Sequence, residues 1–216
     1  MRRRLLQILL LTGFSSISAS VMFAQGEEIS ETRYWGRINT GYVATRRIYP
    51  RKETETYEKF AKGKVVYSRT KKTEYQAADT FRITTETVSD GKAVVNILIQ
   101  IAGRRFCKDS EAEWKATGCY EQPPRLLEQA EEAHFSVQKR RDQISYIRMT
   151  TFLDDSQRAS GSREFRTDDI MIVNLDLSIR SRVIRESSCD TKQTTSLLTS
   201  KYEYGVKLDP ILAPVK

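Results

Sequence analysis

Alternating apolar and polar side chains are the dominant pattern of this chain, and they predict β-strands. The longest alternation covers residues 170–186, and its apolar positions are Met171, Val173, Leu175, Leu177, Ile179 and Val183. A period of two over that length predicts one long strand, bent or coiled, with one face exposed to water. Residues 194–206 predict a final strand in the same way, and residues 34–49 and 64–70 are also predicted to be extended.

The clearest hairpin lies in the middle of the chain, where residues 80–88 and 92–101 alternate on either side of residues 89–91. A three-residue loop there places Phe81 opposite Ile99 and Ile83 opposite Ile97. A two-residue loop would instead place polar side chains opposite both isoleucines. We predict the three-residue loop, because it gathers the apolar residues on one face. It also puts Gly91 at the left-handed position of a type I turn with a bulge.

One helix is predicted near residues 124–133. Pro123 and Pro124 suit a helix start, and a stripe of apolar and small side chains follows at Leu126, Ala130 and Ala133. Beyond it, Phe135 and Val137 can pair with Tyr146 and Ile144 in a second hairpin, or the helix can continue through Val137. The β-forming residues 144–152 favour the hairpin.

These elements predict a mainly β fold, either an antiparallel β-sandwich or a strongly curved, partly closed sheet with one short helix. Residues 25–216 have a length suited to a single domain. The extended C-terminal tail, residues 209–216, holds two prolines and cannot be a central strand. It is expected to be a packed arm, and the alternative is a segment presented to a partner.

The first 24 residues have the order of a secretory signal peptide. Three arginines precede the apolar residues 5–14, and small residues follow up to a predicted cleavage site after Ala24, with Ser20 as the alternative. An uncleaved membrane anchor is the other interpretation, but the serines, threonine, glycine and glutamine within residues 5–23 make insertion costly. The first cysteine is Cys107, which excludes a lipid anchor at the cleavage site. We expect an exported protein, periplasmic or extracellular.

The positive charge is concentrated in one segment. Cleavage would remove three arginines and lower the net charge from +8 to +5. Residues 33–72 hold 12 Lys and Arg against 3 Asp and Glu, whereas residues 73–216 hold 21 against 22. Aromatic residues are interleaved with the cations of residues 33–72.

Cations interleaved with aromatic rings are suited to an anionic polymer or headgroup, because charge supplies affinity and the rings stack on sugars or bases. An anionic glycan, a lipid headgroup or an envelope protein would be the partner. A solvated edge strand guarded by cations is the structural alternative. The predicted anionic-ligand residues are Arg33, Trp35, Arg37, Arg46, Arg47, Tyr49, Arg51 and Lys52.

Three cysteines allow one intramolecular disulfide, and export makes it permissible. Cys107 and Cys119 flank a polar loop and are the predicted pair. A bridge closing a loop of that length stabilises the fold by about 3 kcal/mol in the chain-entropy model. Cys189 is then expected to be a buried small side chain or, alternatively, an intermolecular bridge.

The sequence holds little that predicts catalysis, a cofactor or a metal. His134 is the single histidine, which excludes paired-histidine metal sites, and no phosphate-binding glycine loop is present. A non-enzymatic binding or assembly protein is therefore the leading hypothesis. By architecture alone the chain resembles periplasmic lipid carriers and β-sandwich adaptors, so a carrier of lipid or another small hydrophobe is one alternative. A carboxylate-dependent envelope hydrolase is the other, and its candidate acids are Asp154, Asp155, Asp168 and Asp169.

Overall fold

The structure, a computed structural model, describes residues 26–109, 112–116, 132–154 and 163–214. The predicted signal peptide, most of the helix predicted near 124–133, Cys119 and Asp155 lie outside the described residues. The elements are β1 (Glu27–Glu28), α1 (Glu31–Arg46), β2 (Arg51–Ala61), β3 (Lys64–Ala77), β4 (Thr80–Ser89), β5 (Lys92–Ile101), β6 (Arg104–Asp109), β7 (Glu132–Lys139), β8 (Gln143–Asp154), β9 (Arg163–Asn174), β10 (Ile179–Ser188) and β11 (Thr194–Tyr204).

All the described strands belong to one antiparallel sheet, in the order β1-β7-β8-β9-β10-β11-β2-β3-β4-β5-β6. β7 to β11 form one run of sequential hairpins and β2 to β6 form another. β1 pairs with β7 at one edge, and the pairing of β11 with β2 joins the two halves. The order ends at β1 and β6, so the sheet is not closed. The mainly β fold with one helix is confirmed. Of the two predicted architectures, the single open sheet describes these residues and the two-sheet sandwich does not.

The helix lies where the sequence analysis predicted an extended segment, so that prediction for residues 34–49 was wrong. Ser30 caps α1 by accepting a hydrogen bond from the Arg33 backbone N–H, and Glu31 places a carboxylate in the first turn. The buried side of α1 recurs at helical spacing, at Tyr34, Ile38, Gly41 and Thr45. The cap and this stripe outweigh the β-forming residues of the segment. Residues 132 and 133, at the end of the other predicted helix, lie in β7.

The core lies between α1 and one face of the sheet, here called the inner face. Tyr34 and Ile38 of α1 pack in one buried cluster with side chains from β7 to β10, namely Val137, Tyr146, Met171, Val173 and Ile179. Gly41 permits the close approach, because a Cβ there would lie 3.3 Å from Cγ1 of Ile179. Thr45 Oγ1 accepts a hydrogen bond from the Ile179 backbone N–H at 2.8 Å. The helix therefore covers only the half of the sheet built from β7 to β11.

The hairpin of β4 and β5 is confirmed, but its predicted register was wrong by one residue. Ser89 pairs with Lys92, so the loop has two residues, and Ile83 lies opposite Leu98 instead of Ile97. Asp90 and Gly91 have φ values of 51° and 73°, the left-handed pair that a type I′ turn requires. The turn chemistry decides the register, and apolar side chains consequently occupy both faces of β5.

Residues 170–186 do not form the single long strand that their alternation predicted. β9 ends at Asn174 and β10 begins at Ile179, and the two strands pair as a hairpin. Leu175 is 66% exposed in the loop, and Leu177 has a φ of 68°. Asp176 accepts hydrogen bonds from the backbone N–H and the hydroxyl of Ser178 and so stabilises this turn. Leu175 and Leu177 lie in this loop, and they coincide with the apolar positions of the alternation without belonging to a strand.

The remaining described predictions have mixed outcomes. β7 and β8 form the predicted hairpin, with Val137 opposite Tyr146, which is two residues from the predicted pairing. β11 ends at Tyr204, shortly before the predicted end. In the tail, Ile211 is buried and its backbone N–H donates to the Gln76 side chain. The packed-arm interpretation therefore holds at Ile211.

Candidate functional site

The predicted anionic-ligand residues between positions 33 and 47 lie on α1 and at its C-cap. Arg33, Arg37, Arg46 and Arg47 are all exposed. Arg33 forms an ion pair with exposed Glu27 at 3.2 Å. Among the described residues, the other three form no ion pair, so their charges face water. We refer to Arg37, Arg46 and Arg47 as the α1 arginines.

The residues that follow α1 do not extend this exposed surface. Arg51 is 3% exposed, and its guanidinium carbon lies 3.7 Å from the ring centroid of Tyr75 and 4.9 Å from that of half-buried Tyr49. Its Nε donates to Glu53 at 2.9 Å. Lys52 is half-buried and, one residue away from Arg51 along β2, lies on the opposite face of the sheet. The structure thus separates the predicted residues into an exposed helical set and a second set in which Arg51 is buried and Tyr49 and Lys52 are half-buried.

The last predicted residue, Trp35, connects α1 to a buried group of charges. Its ring is 39% exposed, packs edge-on against Tyr34, and donates its indole N–H to Glu31 at 3.2 Å. The Arg148 guanidinium carbon lies 5.2 Å from the Trp35 ring centroid. Trp35 therefore covers a cation that comes from β8.

Beneath α1, Asp169 is the centre of a buried cluster, here called the Asp169 cluster (Tyr34, Tyr42, Arg148, Asp169 and Arg182). Asp169 is 0% exposed. Arg182 binds both of its carboxylate oxygens, through Nε at 2.9 Å and Nη2 at 2.7 Å, and donates to the Tyr42 hydroxyl at 2.9 Å. The pair thus ties β9 and β10 to α1.

Burial sets the proton affinities in this cluster. Burial, followed by the charge of Asp169, raises the pKa of Tyr34 above its usual range. Burial also works against the charged form of Arg182, but the hydrogen bonds and charge of Asp169 outweigh it and hold the pKa of Arg182 above its ordinary value. Both groups therefore keep their protons throughout the physiological range.

Sequence reasoning missed the two arginines of this cluster. The alternation of residues 170–186 puts Arg182 on the polar face of the predicted long strand, opposite to Val183. The hairpin and an irregularity between Ile179 and Ser181 place Arg182 instead on the inner face. Arg148 lies directly opposite Asp169 across β8 and β9. One feature of the sequence could have revealed this cluster. If apolar Tyr146 is paired with apolar Met171, then Arg148 and Asp169, two residues away on each strand, face each other on the same covered side of the sheet.

The two described carboxylates of the hydrolase hypothesis, Asp168 and Asp169, do not converge. Asp168 and Asp169 are adjacent on β9 and therefore point to opposite faces. Asp168 accepts from Arg166 at 2.8 Å, and Asp169 is occupied by Arg182. The Cα of Asp154 is six residues along β8 from the partner of Asp169, a separation of about 20 Å. Glycosidase acids lie within about 10 Å of each other.

Two cavities lined by described residues are small. The larger of the two has a volume of about 230 Å³ and lies between Phe60 and Phe165 near the β10–β11 turn. The other has a volume of about 60 Å³ and lies beside Glu55, Lys71 and Tyr202. Ligand pockets usually hold about 300 to 1,000 Å³. Neither cavity is a preformed pocket for a whole lipid.

Cys189 is a free thiol, half-buried at the end of β10. Cys107 lies in β6, and because Cys119 lies outside the described residues, their bridge stays a prediction. Across the described part of the chain, no helix combines the length and the apolar character that crossing a bilayer requires. The same residues contain no group of three His, Cys, Asp or Glu side chains placed to share a metal ion.

Compared with known proteins, the chain shows a similarity in the path of its backbone. No family model matches the chain, and no curated protein matches it significantly. Among solved structures, the crystal structure of LprF from Mycobacterium bovis is similar over 88% of this chain and 100% of that chain, with 9% sequence identity and a TM-score of 0.41. At that identity and score the similarity carries no inference about function.

Proposed function

We propose that this protein is an exported, non-enzymatic binding or assembly protein that contacts an anionic partner through α1. The observation that carries the proposal is the exposure of the α1 arginines without an ion pair among the described residues. Exposed cations that are not neutralised within the fold are free to bind a partner's anionic groups. Export rests on the order of charged, apolar and small residues in the first 24 positions.

The shape of this surface favours an extended partner. α1 has 16 residues, which makes it about 24 Å long. Arg37 lies near its middle and the other two arginines at its C-terminal end. Exposed Trp35, which precedes Arg37, and Val43, which lies between Arg37 and Arg46, add apolar area at 39% and 49% exposure. Arg37 and Arg46 are nine residues apart and therefore lie on opposite sides of the helix. A linear polyanion such as an acidic glycan can follow the helix surface and contact these arginines at several points, whereas a single small anion cannot.

Charge reversal tests the proposed surface. The variant Arg37→Glu/Arg46→Glu/Arg47→Glu should lose most of its retention on an immobilised sulfated polysaccharide, measured as the salt concentration at which the protein elutes. The matched control is Lys92→Glu/Arg104→Glu/Arg185→Glu, since these three cations are also exposed and lie on other parts of the sheet. The control should elute close to the wild-type salt concentration. Equal losses in the two variants would mean that only net charge matters, and would contradict a surface on α1.

Export is tested separately, by mass spectrometry of the protein recovered outside the cytoplasm of the expressing cell. We expect an N-terminus at Gln25. Recovery of the chain with an intact N-terminal segment in the membrane fraction would contradict the cleaved signal peptide.

A further inference from the structure

Arg148 is a buried cation that lacks an equivalent anion. It lies in the middle of β8 on the inner face, opposite Phe135 of β7 and Asp169 of β9, and is 8% exposed. The one acidic atom of the described residues that forms an ion pair with it is Oδ2 of Asp169, at 3.7 Å from Nη2. That separation is too long for a hydrogen bond. Its Nε is buried and has no hydrogen-bond partner among the residues that the structure describes.

Asp169 does not neutralise both arginines. Its two oxygens already accept the short hydrogen bonds from Arg182, which form the bidentate geometry of a complete ion pair. Arginine remains protonated in proteins. The Asp169 cluster therefore carries one excess positive charge in a covered site, an arrangement that costs free energy unless an anion compensates it.

The surroundings of Arg148 are suited to a ligand's anionic group. Trp35 lies over the guanidinium and is partly exposed, so the cover is open to solvent on one side. Glu31, the nearby acid of α1, is exposed and accepts the Trp35 indole N–H. The next pair on the inner face, two residues along each strand, is Thr150 and Thr167, and both side chains are buried and polar.

We propose that Arg148, beneath Trp35, binds a carboxylate or phosphate group of a small ligand. The ligand's charge would neutralise the excess positive charge of the Asp169 cluster, and its oxygens would accept the N–H groups that Arg148 leaves unused. This site is separate from the α1 arginines, and it can exist whether or not they bind a polyanion. The anionic group can come from a free ion or from the headgroup of an amphiphile.

The test is a titration of the purified protein carrying Trp114→Phe. This substitution leaves Trp35 as the single tryptophan, because the chain holds two. The probes are inorganic phosphate, acetate, dodecyl phosphate and dodecanoate, and the two amphiphiles are kept below their micellar concentrations. We expect at least one probe to change the Trp35 fluorescence saturably. Arg148→Met should weaken that binding at least tenfold, and Arg166→Met, on the other face of the neighbouring strand, should not change it. Binding of the dodecyl probes alone assigns an amphiphile headgroup, and binding of the free ions assigns a small anion.

Thermal unfolding without ligand separates ligand binding from a purely structural role. Because Arg148→Met removes an uncompensated buried charge, we expect its Tm to equal or exceed that of the wild type. The bound probe should raise the Tm of the wild type and leave that of Arg148→Met unchanged. A clear fall in Tm for unliganded Arg148→Met, or the absence of binding by all four probes, would overturn the proposal.

Discussion

Removing the charge of Asp169 should destabilise the fold severely, whereas the same change at the adjacent Asp168 should not. Asp169→Asn leaves Arg182 and Arg148 buried beside a neutral amide. Breaking one side of a buried ion pair costs about 3 to 5 kcal/mol. An asparagine oxygen can still accept one of the two Arg182 hydrogen bonds, so we expect a loss near the lower end, about 3 kcal/mol.

Asp168→Asn is the matched control, since it makes the same chemical change one residue away on the opposite face. Asp168 pairs with Arg166, whose side chain is 44% exposed, and exposed pairs contribute about 0 to 1 kcal/mol. Urea unfolding of the two variants and the wild type measures both losses. In thermal unfolding, the Asp169→Asn loss corresponds to a Tm lower by about 6 to 12 °C for a chain of this size. Losses within about 1 kcal/mol of each other would refute the claim that Asp169 is the electrostatic anchor of α1.

Three further outcomes follow from the structure. Burial raises the pKa of Tyr34 above its ordinary value of 10.0, so the unfolded chain loses this proton first and stability falls as pH rises above about 10. In urea unfolding, Tyr34→Phe should reduce the slope of the unfolding free energy against pH by about 1.4 kcal/mol per pH unit. An unchanged slope would contradict the burial of this hydroxyl group. Gly36→Ala should stabilise α1 by about 0.5 to 1 kcal/mol, because its Cβ meets nothing within 4 Å. Gly41→Ala should not give this gain, because its Cβ would lie only 3.3 Å from Cγ1 of Ile179. Equal gains in chemical unfolding would contradict the close packing of α1 on β10. Thiol titration of the denatured, unreduced protein should find one thiol per chain and none after Cys189→Ala, and three thiols would exclude the predicted bridge.

Alternation and β-forming residues predicted strands in the regions of β3, β4, β5, β7, β8, β9, β10 and β11, but β1, β2 and β6 were not predicted. Alternation predicts the ends and registers of strands poorly, because turns follow different rules. In β4 and β5, the Asp90-Gly91 turn sets the register although Ile97 and Ile99 then share a face with polar neighbours. Along β9 and β10, Leu175 continued the alternation through a loop in which it is exposed.

The helix and the buried cluster were harder to predict for a different reason. The Ser30 cap and the spacing of Tyr34 and Ile38 were present in the sequence, but aromatic and β-branched residues in the same segment indicated a strand. The charge cluster depends on long-range register, since Asp169 and Arg182 are 13 residues apart and meet only because a hairpin lies between them. Composition identified the exposed α1 arginines, but burial of Arg51 could be learned only from the fold.

The salt dependence of polyanion binding is the most direct test of the proposed function. The wild type, the Arg37→Glu/Arg46→Glu/Arg47→Glu variant and the Lys92→Glu/Arg104→Glu/Arg185→Glu control are titrated with one sulfated polysaccharide at several salt concentrations. Each lost anion contact should lower the slope of log affinity against log salt by about one. We expect a slope that is lower by about two to three for the α1 variant and nearly unchanged for the control. Equal slopes for all three proteins would contradict a binding surface on α1.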